Sequence, residues 1–334
     1  MNSYRLILPI SLLAAFVMPA QQGPADRPMV LTEAIPLEGV KGRFDHFGTS
    51  GKQLFVSALG NNTVEVIGIS SRTLEHTITG VPNPQGLVYA PEVNKLFVAS
   101  SQGKLYIYDG TNFELVTSID FHGDVDNLRY DAAKKRVYVG YGDDEAAAIA
   151  TVDAVTNDRL DEEYKLGAHP ESFQLEKSGP NIYVNLPDLK QVAVINRNTK
   201  EITRWPLTLE HNFPMALNEE GHRLYVGTHQ PARLAVFDTG SGKMTAALGS
   251  VQDADDLYYD ASRKRIYMAG GEGFIYVFQE TGDKYELISK IPTALGARTA
   301  GYFGKGKKNF DRFFLAVPAR ADHGAEIWIY TVQD

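Results

Sequence analysis

Carboxylates, histidines and arginines recur at one spacing in this chain. The stretch GDVDNLRYD at 123–131 returns as QDADDLYYD at 252–260, each time crowding acids ahead of a Leu-x-Tyr-Asp strand start. Asp is a poor strand residue, so a strand gains little from such a lead-in. Seven lead-ins align on the apolar residue that follows them: Phe47, Leu87, Leu128, Phe173, Met215, Leu257 and Gly301. The last is out of register by up to one residue, which brings Arg298 near the same place. Four residues upstream stand Arg43, Asn83, Asp124, His169, His211 and Asp253. Two upstream stand Asp45, Gln85, Asp126, Glu171, Phe213 and Asp255, and one upstream His46, Gly86, Asn127, Ser172, Pro214 and Asp256. Two imidazoles flanked by carboxylates, His169 and His211 with Asp124 and Asp253, have the donor types of a divalent cation site. Arg43 and Arg298 suit a clamp for a carboxylate or phosphate. Carboxylates gathered this closely raise one another's pKa and oppose folding, unless a cation or the arginines and histidines neutralise them. The competing reading is local. Asp and Asn ahead of a strand bond the backbone and shape a turn, which would account for Asp126, Asn127, Asp255 and Asp256. Asp131 and Asp260, behind the inner strand, read as turn residues. His222, in a turn, and His76, in an outer strand, read as structural.

A repeat is what would bring separated lead-ins together. An aromatic-plus-aliphatic triplet recurs about every 42 residues. It appears as LFV at 54–56, LFV at 96–98, VYV at 137–139, IYV at 182–184, LYV at 224–226, IYM at 266–268 and FFL at 313–315. Each unit reads as four short strands punctuated by Gly, Asn and Asp turns, the first of them short and apolar. In the fifth unit these are MAL (215–217), RLYVGT (223–228), RLAVFD (233–238) and MTAAL (244–248). The seventh unit stops after EIWIYTV (326–332), one strand short, while VLTEAIPL (30–37) resembles the fourth strands of other units. The expectation is an all-β fold: a seven-bladed β-propeller of four-stranded antiparallel blades, the ring closed by the N-terminal strand in the last blade. A parallel β-solenoid would require neither a four-strand meander nor a displaced terminal strand. In a propeller the seven lead-ins face one mouth of the central channel. The candidate ligand-binding residues are therefore Arg43, Asp45, His46, Asp124, Asp126, His169, Glu171, His211, Asp253, Asp255 and Arg298. Of these, Asp124, His169, His211 and Asp253 form the candidate metal set. Loops after the second strands add an outer rim of Asn185, His229, Arg233, Arg320 and His323.

The segments VYVGYG (137–142), IYVNLP (182–187) and LYVGTH (224–229) resemble the Tyr-Val-x-x core of the YVTN repeat. The chain beyond its first 20 residues resembles the exported YncE-like seven-bladed propellers, and it lacks the Gly-His and Trp-Asp pairs of WD40 repeats. The resemblance implies the fold. Relatives in the wider superfamily include lactonases and metal-binding periplasmic propellers. This adds a metal-assisted lactone hydrolase, in which a cation on Asp and His residues polarises the lactone carbonyl and an Asp or His activates water. Lactonase motifs are not matched here residue by residue.

Composition bounds the remaining classes. A net charge of −8 and the lack of a basic, aromatic-interleaved stripe argue against a nucleic-acid surface. The chain has no cysteine, which excludes disulfides and a thiol nucleophile. No Gly-x-Ser-x-Gly elbow is present, and GGEGF at 270–274 lacks the Lys-Ser/Thr of a phosphate loop. Residues 1–20 carry Arg5, an apolar run from Leu6 and a small Ala20, and read as a cleaved secretory signal. The expectation is one domain over 21–334, periplasmic or secreted, monomeric, and not inserted in the membrane after cleavage. Its expected role is a binding module whose channel mouth takes a small anionic ligand, a metal or a protein partner. The alternative is the lactone hydrolase. A divalent cation is the one cofactor in view, and its presence stays open.

Overall fold

The triplets set the architecture because each occupies a strand covered on both faces. Lys95–Ser100 and Arg136–Tyr141 are buried throughout except for a half-buried first residue. A strand covered on both sides reads as a continuous apolar run rather than an alternating one. The fourth strands behave oppositely: Leu115–Asp120 and Met244–Gly249 have no buried residue. Burial thus peaks in the middle strands of each sheet and is lost at the outer strand, as a ring of radially stacked sheets around an open channel requires.

The computed structural model describes residues 27–305 and 311–334; the signal-like stretch 1–20 lies outside them. The described residues form seven four-stranded antiparallel sheets. Blades 1 to 6 are meanders of consecutive strands over 47–79, 84–120, 125–165, 173–206, 210–249 and 254–292. Blade 7 combines Ala300–Tyr302, Arg312–Val317 and Ala325–Val332 with the N-terminal strand Met29–Leu37. That strand runs antiparallel to Ala325–Val332, with Val30 opposite Thr331 and Leu37 opposite Ala325. The ring closes as the sequence led us to expect.

Seven hydrophobic clusters fill the seven interfaces between blades. The middle residue of each triplet is a buried ring, such as Phe97, Tyr183 or Tyr225. In three of the four tyrosines the hydroxyl reaches a carboxylate: Tyr183 donates to Glu176 at 2.7 Å, Tyr225 to Glu280 at 3.0 Å and Tyr267 to Asp260 at 3.2 Å. A buried hydroxyl without such a partner costs stability, so these three tyrosines each bring an acid with them. The inner strands are not uniformly short. Three have three residues, but Pro84–Ala90, Val125–Asp131, Glu210–Asn218 and Ala254–Asp260 run on to the channel mouth.

Candidate functional site

An extra residue in the inner strand is what aims the lead-in side chains. Pairing slips by one between Pro84 and Leu87, Val125 and Leu128, Asn212 and Met215, and Ala254 and Asp256. In blade 1 Ser57 faces two residues, accepting from Asp45 N–H at 2.9 Å and donating to His46 O at 3.0 Å. Asn185 does the same for Glu171 and Ser172 in blade 4, at 3.1 and 3.0 Å. Such bulges break the in-out alternation and redirect a side chain. In blade 7, Ala300 lies opposite Leu315 as Phe47 lies opposite Val56. Ala300, not Gly301, is therefore the equivalent position, and Arg298 completes the layer of Asp45, Gln85, Asp126, Glu171, Phe213 and Asp255.

These seven side chains line one cavity of about 500 Å³ at the channel mouth. All eleven candidate ligand-binding residues line it, joined by His229 and Phe213, whose rings approach to 4.7 Å. Two groups of ligand atoms close to within 4.8 Å of one another: Asp45–His46–Asp126 and Asp126–His169–Glu171. Asp126 belongs to both. Its Oδ1 faces His46 Nε2 at 3.8 Å and its Oδ2 faces His169 Nε2 at 3.7 Å. His46 reaches across the channel, with Asp45 Oδ2 at 3.6 Å and Asp256 Oδ1, from blade 6, at 3.9 Å. His169 Nδ1 lies 2.9 Å from Gly142 O and 3.6 Å from Asp143 Oδ1.

The electrostatics follow from burial. Asp45 and Asp126 are 8% and 6% exposed. Burial, then the neighbouring acids, push Asp45 and Glu171 well above the carboxylate range. Burial likewise raises Asp256 to about 7 and Asp124 to about 6. Burial alone would push His46 down, but Asp45, Asp126 and Asp256 outweigh it and hold the imidazole at about 10. His169 is raised in the same way, chiefly by Asp126 against its own burial. Burial pushes Asp126 up too, yet the two imidazoles overcome it and hold this carboxylate below its usual range.

The structure redistributes several expectations. The quartet Asp124, His169, His211 and Asp253 is not gathered into a ligand set. Arg298 grips Asp253 and also lies 3.0 Å from Asp255, and His211 is exposed beside Phe213. Arg298 is thereby spent on carboxylates rather than held for an anion, and Arg43 stands 3.5 Å from Asp45. The local-turn reading does not describe Asp126, Asp255 and Asp256, whose carboxylates face groups of other blades; it is Asp253 that occupies a turn. It shares a left-handed backbone (φ 54°) with Asn83, His211 and Gly296, the same position in other blades. Asp131 and Asp260 cap turns, and each also pairs with an arginine, Arg197 and Arg263. Asn185 is not on a rim: it is fully buried and donates to Phe213 O at 2.9 Å, tying blade 4 to blade 5. Arg233, Arg320 and His323 do not line the cavity, whereas His229 does, with Nε2 2.8 Å from Ala254 O. Sequence reasoning missed Asp143 and Arg129. Arg129 had a signal, a basic residue following directly on the buried half of an inner strand.

No family model matches the chain, and no curated protein matches it. Solved structures do. A chain from the crystal structure of a mitotic checkpoint complex aligns with TM-score 0.76 at 13% identity, covering 98% of this chain and 100% of its own length. The WD40 repeats of RRP9 align with TM-score 0.76 at 9% identity, covering 93% and 99%. At those identities the likeness shows the fold alone, and that fold is the seven-bladed propeller.

Proposed function

We propose that this is an exported binding module whose channel mouth takes a divalent cation on the carboxylates and imidazoles around Asp126. One observation carries the reading. Asp126 offers one oxygen to each of two histidines, and each pair acquires a third donor, Asp45 or Glu171. The 3.6–3.8 Å separations exceed hydrogen bonds. They approach the ~3.4 Å between ligands that each stand ~2.1 Å from a tetrahedral ion. The charge count points the same way: the arginines at the mouth are already engaged, while burial, reinforced by neighbouring acids, pushes the Asp45, Asp256 and Glu171 carboxylates toward protonation, a penalty that a bound cation would relieve. The anionic ligand weighed from sequence loses its clamp. Export is supported by the composition of residues 1–20. The fold likeness to a chain of a protein complex supplies no partner.

The test is binding linkage. Protein stripped with a chelator should melt several degrees higher when Zn²⁺ or Mn²⁺ is added, because an ion that binds only the folded state stabilises it. Asp126→Asn should abolish the gain, and His211→Ala should keep it. A melting temperature indifferent to metal would mean that the ring neutralises itself with its own imidazoles and arginines. The hydrolytic reading is favoured by Asp124, a base raised to about 6 at the same mouth. It requires, in addition, turnover of a lactone panel that Asp124→Asn removes.

A further inference from the structure

Below the ring the channel opens into a second cavity of about 560 Å³, a size typical of small-molecule sites. His46, Ser172 and Asp255 line both cavities and form the partition between them. The lower walls mix polar and apolar surface in near-equal parts, and five tyrosines supply much of the apolar half. Each tyrosine spends its hydroxyl on the protein and leaves ring surface to the cavity. Tyr89 donates to Asn94 at 2.6 Å, Tyr130 to Glu92 at 2.8 Å, Tyr258 to Ala300 O at 2.8 Å, Tyr259 to Glu280 at 2.5 Å and Tyr302 to Asp311 at 3.4 Å. Met215 and Phe303 add further apolar surface.

One group departs from this lining. Arg129, from the inner strand of blade 3, has its guanidinium carbon 5.2 Å from the ring centroid of Phe173. Among the described residues no carboxylate comes within ion-pair distance of it. Its bonds go to neutral acceptors: Leu128 O at 2.8 Å, Asn127 Oδ1 at 3.3 Å and Ser172 Oγ at 3.3 Å. Five N–H donors and three such bonds leave capacity for an acceptor from outside. The carboxylates of the partition are engaged elsewhere. Asp255 faces Arg298 Nε at 3.0 Å, and Asp256, beside the partition, accepts from Ala300 N–H at 2.7 Å. Asp256 and Asp126 act on Arg129 only from beyond ion-pair distance; a half-buried guanidinium with no directly paired carboxylate, at the head of an aromatic-walled cavity, is the recognition pattern for an amphipathic anion. Lys177, exposed at the outer end of the cavity, adds a second cation.

We infer that the lower half of the channel is a binding site for a small organic anion with an aromatic or otherwise apolar body, its carboxylate or sulfonate on Arg129. The site lies across the partition of His46, Ser172 and Asp255 from the cavity above it. The probe is anilinonaphthalene sulfonate, whose fluorescence rises when its rings leave water. The intact protein should bind it saturably at one site per chain. Affinity should be at least tenfold higher than for phenylnaphthylamine, the same rings without the sulfonate. Arg129→Met should erase that preference, and His211→Ala, at the exposed rim of the other cavity, should leave it intact. Equal affinity of the wild-type chain for the charged and uncharged probes would overturn the inference, whether or not the Arg129 variant folds. So would an Arg129→Met protein that retains the preference, or the absence of saturable binding.

Discussion

Asp126 and Asp255 hold the same repeat position and do different work. Asp255 is paired with Arg298, while Asp126 divides its two oxygens between His46 and His169. The repeat reveals that both acids face the channel, because position relative to the inner strand is a linear property. It does not reveal the partners, because those come from other blades: His46 of blade 1 meets acids of blades 3 and 6. The pH dependence of stability follows from these contacts. His46 is raised from 6.5 to about 10, and Asp256 from 3.8 to about 7. Both groups hold a proton in the folded state over a range where the unfolded chain has lost it, so stability falls as pH rises. The imidazole's contribution is complete below its unfolded value and disappears toward about pH 10; the carboxyl's penalty grows from about pH 4 to about pH 7. Asp126, shifted the other way, acts only at lower pH. Metal-free protein should therefore lose melting temperature steadily between about pH 5 and about pH 9, and His46→Gln should flatten the alkaline half. A melting temperature that rises across that interval would contradict the ring electrostatics.

At the scale of the element, the sequence disclosed strands more readily than it disclosed bulges. Four strands per unit and the borrowed strand of blade 7 could be read because apolar runs and turn residues repeat. The bulges could not, since one extra residue in a lead-in leaves no mark on composition. Their effect surfaced only as the register slip that hid Arg298's true position. The borrowed strand makes a quantitative prediction. Ile35 is 2% exposed within the core between blades 7 and 1, whereas Leu31 on the same strand is 43% exposed. Ile35→Ala should cost about 2–4 kcal/mol, and Leu31→Ala less than about 0.5 kcal/mol, in denaturant unfolding. Similar losses at both positions would mean that the strand is held by backbone pairing alone.

At the scale of the molecule, each blade packs on two others, so a break anywhere opens two faces at once. Removing the chain up to Gly39 strips blade 7 of its outer strand and uncovers the edge of Ala325–Val332. Such an edge is also a template for pairing with other chains. That truncation should lose the single cooperative unfolding transition and associate on standing, as followed by calorimetry and light scattering. A monomeric product with one sharp transition would show that the other six blades suffice. The closing pair also fixes an order in time. Thr32 bonds Ile329 across 297 residues of chain, so the strand synthesised first is among the last to find its partner. Ring closure must await nearly the entire polypeptide, and such distant pairing makes folding slow. Under the export proposed above, this delay would be useful: a protein that cannot complete its fold until its last strand emerges would stay threadable until translocation is nearly over.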